Sequence, residues 1–107
     1  MTDLTLDELL ACLSNNRFID DIRPNLFFNA VVYDELIWIL CNVAKHTKDE
    51  NKLDKKLCAY LYEIPKMIMI WKERLKLETY PNVALIDKLE DAYFEIDALI
   101  SEEILRF

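Results

Sequence analysis

Apolar residues recur three and four positions apart along nearly the whole chain, and no stretch alternates with a period of two. That spacing marks one face of an α-helix and argues against strands. Thr5-Leu6-Asp7-Glu8 reads as a capping box, with Leu4 and Leu9 placed as its hydrophobic staple. A first helix is therefore predicted over 6–14, burying Leu6, Leu9, Leu10 and Leu13, with Asn15-Asn16 supplying a left-handed end. Residues 17–25 are predicted as a connector holding one short helical turn, with Phe18, Ile19 and Ile22 tucked beneath it.

Pro24 suits the first turn of a second helix, predicted over 25–46. At about 1.5 Å per residue it is roughly 30 Å long, the width of a small domain. Its apolar face gathers Leu26, Ala30, Tyr33, Leu36, Ile37, Leu40, Val43 and Ala44, and a helix this apolar is expected at the centre of its bundle. Thr47-Lys48-Asp49-Glu50 reads as a second capping box, opening a third helix with a stripe of Leu53, Leu57, Tyr60, Leu61 and Ile64. Pro65 should break that helix, yet Met67, Ile68, Trp71 and Leu75 continue the stripe in phase. A kinked pair of near-coaxial segments, 48–63 and 65–78, accommodates both. Asn82 is the expected N-cap of a fourth helix over 83–105, which turns Leu85, Ile86, Leu89, Ala92, Tyr93, Ile96, Leu99, Ile100 and Ile104 inward. The prediction is an all-α fold, a single helical domain over 1–107. It is an antiparallel bundle of four to five helices, the third kinked at Pro65.

Composition then removes chemistry. The chain has no glycine, so phosphate loops, dinucleotide fingerprints and nucleophile elbows are excluded. Cys12, Cys41 and Cys58 are odd in number and form no C-x-x-C pair. They are expected as buried, reduced thiols in a cytoplasmic compartment. Residues 1–4 show neither the basic segment nor the apolar run of a signal peptide. The most apolar stretch, 26–44, carries Asp34 and Glu35 at its middle, which suits a buried helix and not a membrane span. The single histidine, His46, is expected at the C-terminus of the second helix, facing the negative end of its dipole, with no metal-ligand spacing around it. Ser14 and Ser101 lack a histidine at a suitable spacing. The expectation is a protein that is not an enzyme and uses no metal or cofactor.

The net charge of −7 is unevenly laid out. Residues 1–44 hold seven acids and two bases, 45–76 hold five acids and nine bases, and 77–107 hold eight acids and two bases. A basic third helix between acidic neighbours gains modest surface pairs, and acidic flanks also steer a basic partner. The same acids repel phosphate, so no direct nucleic-acid partner is expected, the Lys45, Lys48, Lys52, Lys55 and Lys56 cluster being the one exception to that pattern. Trp38 falls on the polar side of the second helix and Phe94 on the polar side of the fourth, each among acids. Either they anchor a binding patch or another segment of the chain covers them. The candidate partner-binding residues are Asp34, Glu35, Trp38 and Asn42 on the second helix, and Asp87, Glu90, Asp91, Phe94 and Asp97 on the fourth.

In size and acidity, and in acids such as Asp34, Glu35, Glu90, Asp91, Glu95 and Asp97 interleaved with Trp38 and Phe94, the chain resembles bacterial immunity proteins. These are made beside nuclease toxins of the colicin and contact-dependent growth-inhibition types. The resemblance implies an inhibitor that occludes the active site of a cognate toxin's basic tRNase, RNase or DNase domain with an acidic face. Two further readings fit the same residues. One is a phage or antitoxin-type inhibitor of a nucleic-acid enzyme. The other is a structural homo-oligomer subunit, with Phe27, Val31 and Trp38 as a dimer seam.

Overall fold

A computed structural model of the protein describes residues 5–25, 28–48, 53–77 and 82–105, and the side chains of 21 and 23–25 are left aside. All regular structure among the described residues is helical: α1 Leu6–Asn15, α2 Phe18–Asn25, α3 Ala30–Thr47, α4 Lys55–Lys76 and α5 Val83–Ala98. A wider π-helical segment, Leu99–Leu105, continues α5.

Side chains start the helices. The Glu8 amide donates to the Thr5 hydroxyl at 3.2 Å and the Thr5 amide returns a bond to the Glu8 carboxylate at 3.1 Å, the predicted capping box. Those bonds, the backbone amide first, hold the Glu8 carboxyl below its ordinary value. Leu4, the staple partner, lies outside the described residues. Asn29, Asp54 and Asn82 cap α3, α4 and α5 in the same way.

Several expected boundaries are corrected. Asn16 ends α1 in an extended conformation (φ −69°, ψ 131°), not a left-handed one. Its side chain instead ties three elements together. The amide nitrogen donates to the Val32 carbonyl at 3.1 Å, and the amide oxygen accepts the Phe18 amide at 3.0 Å. The predicted connector is the two-turn helix α2, so Pro24 lies near the end of α2 and not in the first turn of the next helix. Thr47 is no N-cap. It is buried in the last turn of α3, where its hydroxyl donates back to the Val43 carbonyl at 2.9 Å. Asp49 and Glu50 of that expected box lie outside the described residues, and Asp54 does the capping, accepting the Lys56 and Leu57 amides. α4 is one helix running through Pro65.

The core joins Leu9 and Leu13 of α1, Phe18 and Ile22 of α2, and the buried stripes of the three long helices. In α4 the stripe is Leu57, Leu61, Ile64, Ile68 and Leu75, as expected, but Lys72 fills the gap between the last two. Its stem is buried and its ammonium lies 4.0 Å from Glu73. Trp71 is only half-buried beside the stripe, with the Arg74 guanidinium 5.1 Å from its ring centre. In α3 the core face is Leu36, Ile39, Leu40 and Val43, while Ala30 is exposed. In α5 every expected inward residue is buried except Tyr93 and Leu99, which are half-buried. Past Ala92 the apolar spacing becomes four-and-four through Ile96, Ile100 and Ile104. An α-helical turn would carry such a series off the core by about 40° per step, and the wider π turn counters that drift.

The end of α1 meets the start of α3 through Asn16 and Val32, while Tyr33 reaches Glu95 and Cys41 and Lys45 approach Leu99 and Glu103. α3 and α5 therefore run the same way, with α1 opposed to α3. α4 joins α5 through six intervening positions, too few to retrace its own roughly 33 Å, so these two are antiparallel. The molecule measures 47 × 30 × 19 Å, and its thinnest dimension is about two helix diameters. No helix is wrapped on all sides. The expectation that the second predicted helix is fully central gives way to an α3 with one broad solvent face.

Phe18, Phe28 and Tyr33 form a triangle of rings with centroids 5.1–5.2 Å apart, and Phe18 is completely buried at its inner corner. Phe18→Ala should lower unfolding stability by about 3–5 kcal/mol, read from urea denaturation. The exposed cap substitution Asn82→Ala should cost about 1 kcal/mol.

Candidate partner-binding surface

α3 and α5 each carry half of the predicted site, and the structure joins part of it across their seam. Tyr33 stands at the join. One side of its ring rests on Phe18 and Phe28, and its hydroxyl donates to Glu95 of α5. Burial, and then the Glu95 hydrogen bond, push the Tyr33 phenol far above its ordinary range, with the charges of Glu95, Asp34 and Asp91 adding to the shift. Asp34 and Asp91, one from each half-site, thus flank the same hydroxyl. Beside it is a recess of about 210 Å³ lined by Phe28, Tyr33, Lys88, Asp91, Ala92 and Glu95. The Lys88 ammonium sits 5.9 Å from the Phe28 ring centre.

Trp38 and Phe94 are solvent-facing, at 45% and 60% exposure, and neither another helix nor the 17–25 segment covers them. Trp38 follows Asp34 by one helical turn on α3, and Phe94 follows Asp91 by three positions on α5. Asp87, one turn before Asp91, is exposed on the same outer side. Phe94 also stacks edge-on against Tyr93 at 5.6 Å.

The remaining predicted residues do not converge there. Glu35 is exposed but turned about 100° from Asp34, toward the other flank of α3. Asn42 is half-buried and its amide donates to the Trp38 carbonyl at 2.8 Å, so it serves the helix backbone. Glu90 and Asp97 turn toward α4, where Asp97 lines a different feature: a groove of about 720 Å³ between α4 and α5 with its π extension. Tyr62, Pro65 and Met69 form one wall of that groove, and Tyr93, Ile100 and Leu105 the other.

Tyr33, Glu95 and the groove were not among the predicted site residues. Tyr33 reads as core by spacing. The legible signal is that a tyrosine on a core face brings a hydroxyl needing a partner. That Glu95, 62 positions away, supplies it is a product of the fold. The cysteines also depart from expectation: all three are free, but Cys41 and Cys58 are exposed and Cys12 is half-buried. Cys58 opens into the groove and Cys41 lies at the α3 border facing the π segment.

Among the described residues no set of three or more His, Cys, Asp or Glu side chains is arranged to hold a metal ion. No helix among them is long and apolar enough to cross a membrane. No known family model matches the chain, and neither does any characterised protein or solved structure.

Tyr33→Phe keeps the ring and removes the hydrogen bond, so it should cost roughly 1 kcal/mol. An unfolded phenol ionises near pH 10, while the folded Tyr33 holds its proton to higher pH. Its contribution to stability is thus complete below about pH 10 and falls away as pH rises further. Ultraviolet titration should show a late phenolate fraction in the wild type that Tyr33→Phe lacks.

Proposed function

We propose that this chain is a non-enzymatic binding module that blocks a basic protein partner. Our specific reading is a cytoplasmic immunity-type inhibitor of the nuclease domain of a cognate bacterial toxin. The supporting observation is the α3–α5 seam, where Glu95 accepts the Tyr33 hydroxyl within reach of the Asp34 and Asp91 charges, on the two helices that expose Trp38 and Phe94.

A nuclease cleft is built to take polyanions. Carboxylates held about a rigid ring stand in for phosphates, and because the fold already fixes Tyr33 and Glu95, little ordering entropy is lost on binding. Trp38 and Phe94 supply the apolar anchors that long-range charge alone lacks. In this reading the acids set the on-rate and its salt dependence, and the rings set the off-rate. The surface accounts for inhibition by occlusion and involves no bond-making step.

The reading predicts a nuclease toxin encoded in the neighbouring reading frame, and that toxin is the test partner. Cells expressing its nuclease domain should survive when this chain is co-expressed. Calorimetry should then show Asp34→Lys/Asp91→Lys weakening the complex by about a hundredfold at low salt, and less at high salt. Glu35→Lys, on the other flank, should change affinity by less than about threefold. Trp38→Ala should weaken binding about tenfold or more, with unfolding stability within about 1 kcal/mol of wild type. Full protection by the Asp34→Lys/Asp91→Lys variant would count against the seam as the contact surface.

A further inference from the structure

The groove between α4 and α5 lies apart from the seam, and its two rims carry opposite charge. Lys66 stands on the α4 rim and Asp97 on the α5 rim. The floor and walls are apolar, and Tyr62, 68% exposed, stands at the α4 edge with the Lys66 ammonium 5.3 Å from its ring centre. On α4 the wall residues Tyr62, Pro65 and Met69 step by three and four, a second stripe separate from the one that faces the core. Pro65 and Met69 are half-buried beside α5, and Tyr62 is the member of this stripe left to solvent.

We infer that this groove is the seat of a second copy of the same chain, forming a two-fold dimer whose interface is a four-helix layer of α4 and α5 from each protomer. The rim charges select both the occupant and the axis. Two copies can meet groove to groove about a two-fold lying either across the helices or along them. Across, α4 faces its own copy, and Lys66 meets Lys66 when the axis passes at its height. Along, α4 faces the partner's α5, Lys66 meets Asp97, and every such contact occurs twice. The axis along the helices leaves every residue's height unchanged, so Lys66 and Asp97 of one groove face their opposites in the partner at the offset they have within one protomer. It also sets α4 antiparallel to the partner's α5, the favourable arrangement of helix dipoles. The dimer so formed leaves Asp34, Trp38 and Tyr33 on its outside.

The experiment is analytical ultracentrifugation of the full chain across a dilution series from about 1 µM to about 1 mM. The wild type should pass from monomer to dimer in that range. Lys66→Glu and Asp97→Lys should each weaken the dimer by about tenfold or more, since each creates two like-charge contacts. Mixing the two variants in equal amounts should restore dimer to the wild-type level, because both contacts in the heterodimer are again opposite in sign. That rescue by mixing distinguishes a contact between chains from one across a single groove. Tyr62→Glu, a surface change, should abolish dimer with circular dichroism unchanged. Wild-type protein that stays monomeric to about 1 mM would overturn the proposal. So would a dimer indifferent to Lys66→Glu, Asp97→Lys and Tyr62→Glu, or single-variant losses that mixing does not repair. None of these readouts involves a toxin, so they stand or fall apart from the seam.

Discussion

The packing of Tyr33 is the constraint on which the arrangement of the other elements depends. Its ring closes a triangle with Phe18 of α2 and Phe28 of the segment before α3, and its hydroxyl is committed to Glu95 of α5. Three helices are thereby referred to one side chain. The ring contacts are apolar and non-directional, so they fix distance. The hydrogen bond is directional and ties α3 to α5 at one point, while the buried stripe Leu85, Leu89, Ala92 and Ile96 sets the rotation of α5 about its own axis. With that rotation set, Asp91 lies at the seam, Asp87 and Phe94 face solvent, and Asp97 turns to the groove. Asn16 reinforces the join from the other end, by holding α1, α2 and α3 through its two amide atoms.

The thinness of the molecule matters as much. In a structure 19 Å across, each long helix has a core side, an outer side and at least one open flank. α3 is apolar enough to sit inside a thicker bundle, yet here it keeps Asp34, Glu35 and Trp38 in water. α4 buries one stripe and leaves a second at the groove. A two-layer bundle of this length thus carries more apolar surface than it can cover with its own helices, and this excess is what both proposed surfaces are made of.

Sequence spacing made the helical class, the four long stripes and two N-caps, Thr5 and Asn82, legible. These depend on residues three or four apart, which is the range over which a helix imposes its own geometry. It misplaced Thr47, because a threonine that caps one helix and a threonine that bonds back within another are the same letter. It read α2 as a connector and started the next helix at 25, five positions before α3, because Pro24 fits either side of a helix boundary. The site was half legible. The wheel put Trp38 and Phe94 among acids on the polar sides of their helices, but it left open whether another segment covers them. Which acids from α3 and α5 would meet did not follow from it, because that depends on how the two helices are rotated against each other in the packed core. Glu90, Asp91 and Asp97 look like one cluster on paper and are divided in space between the seam and the groove.

The described helix ends share one property. Every cap, from Thr5 at φ −72° to Asn82 at φ −81° and Asn16 at φ −69°, keeps its backbone on the negative side of φ. The folded chain asks for no left-handed residue at these points, so the absence of glycine imposes no strain on it. It does change the unfolded chain. Each position that carries a side chain where many proteins use glycine has fewer conformations to lose, a gain of about 0.4–1 kcal/mol per site where the native geometry tolerates it. Part of this bundle's stability thus resides in the poverty of its denatured ensemble, where no contact in the folded structure records it.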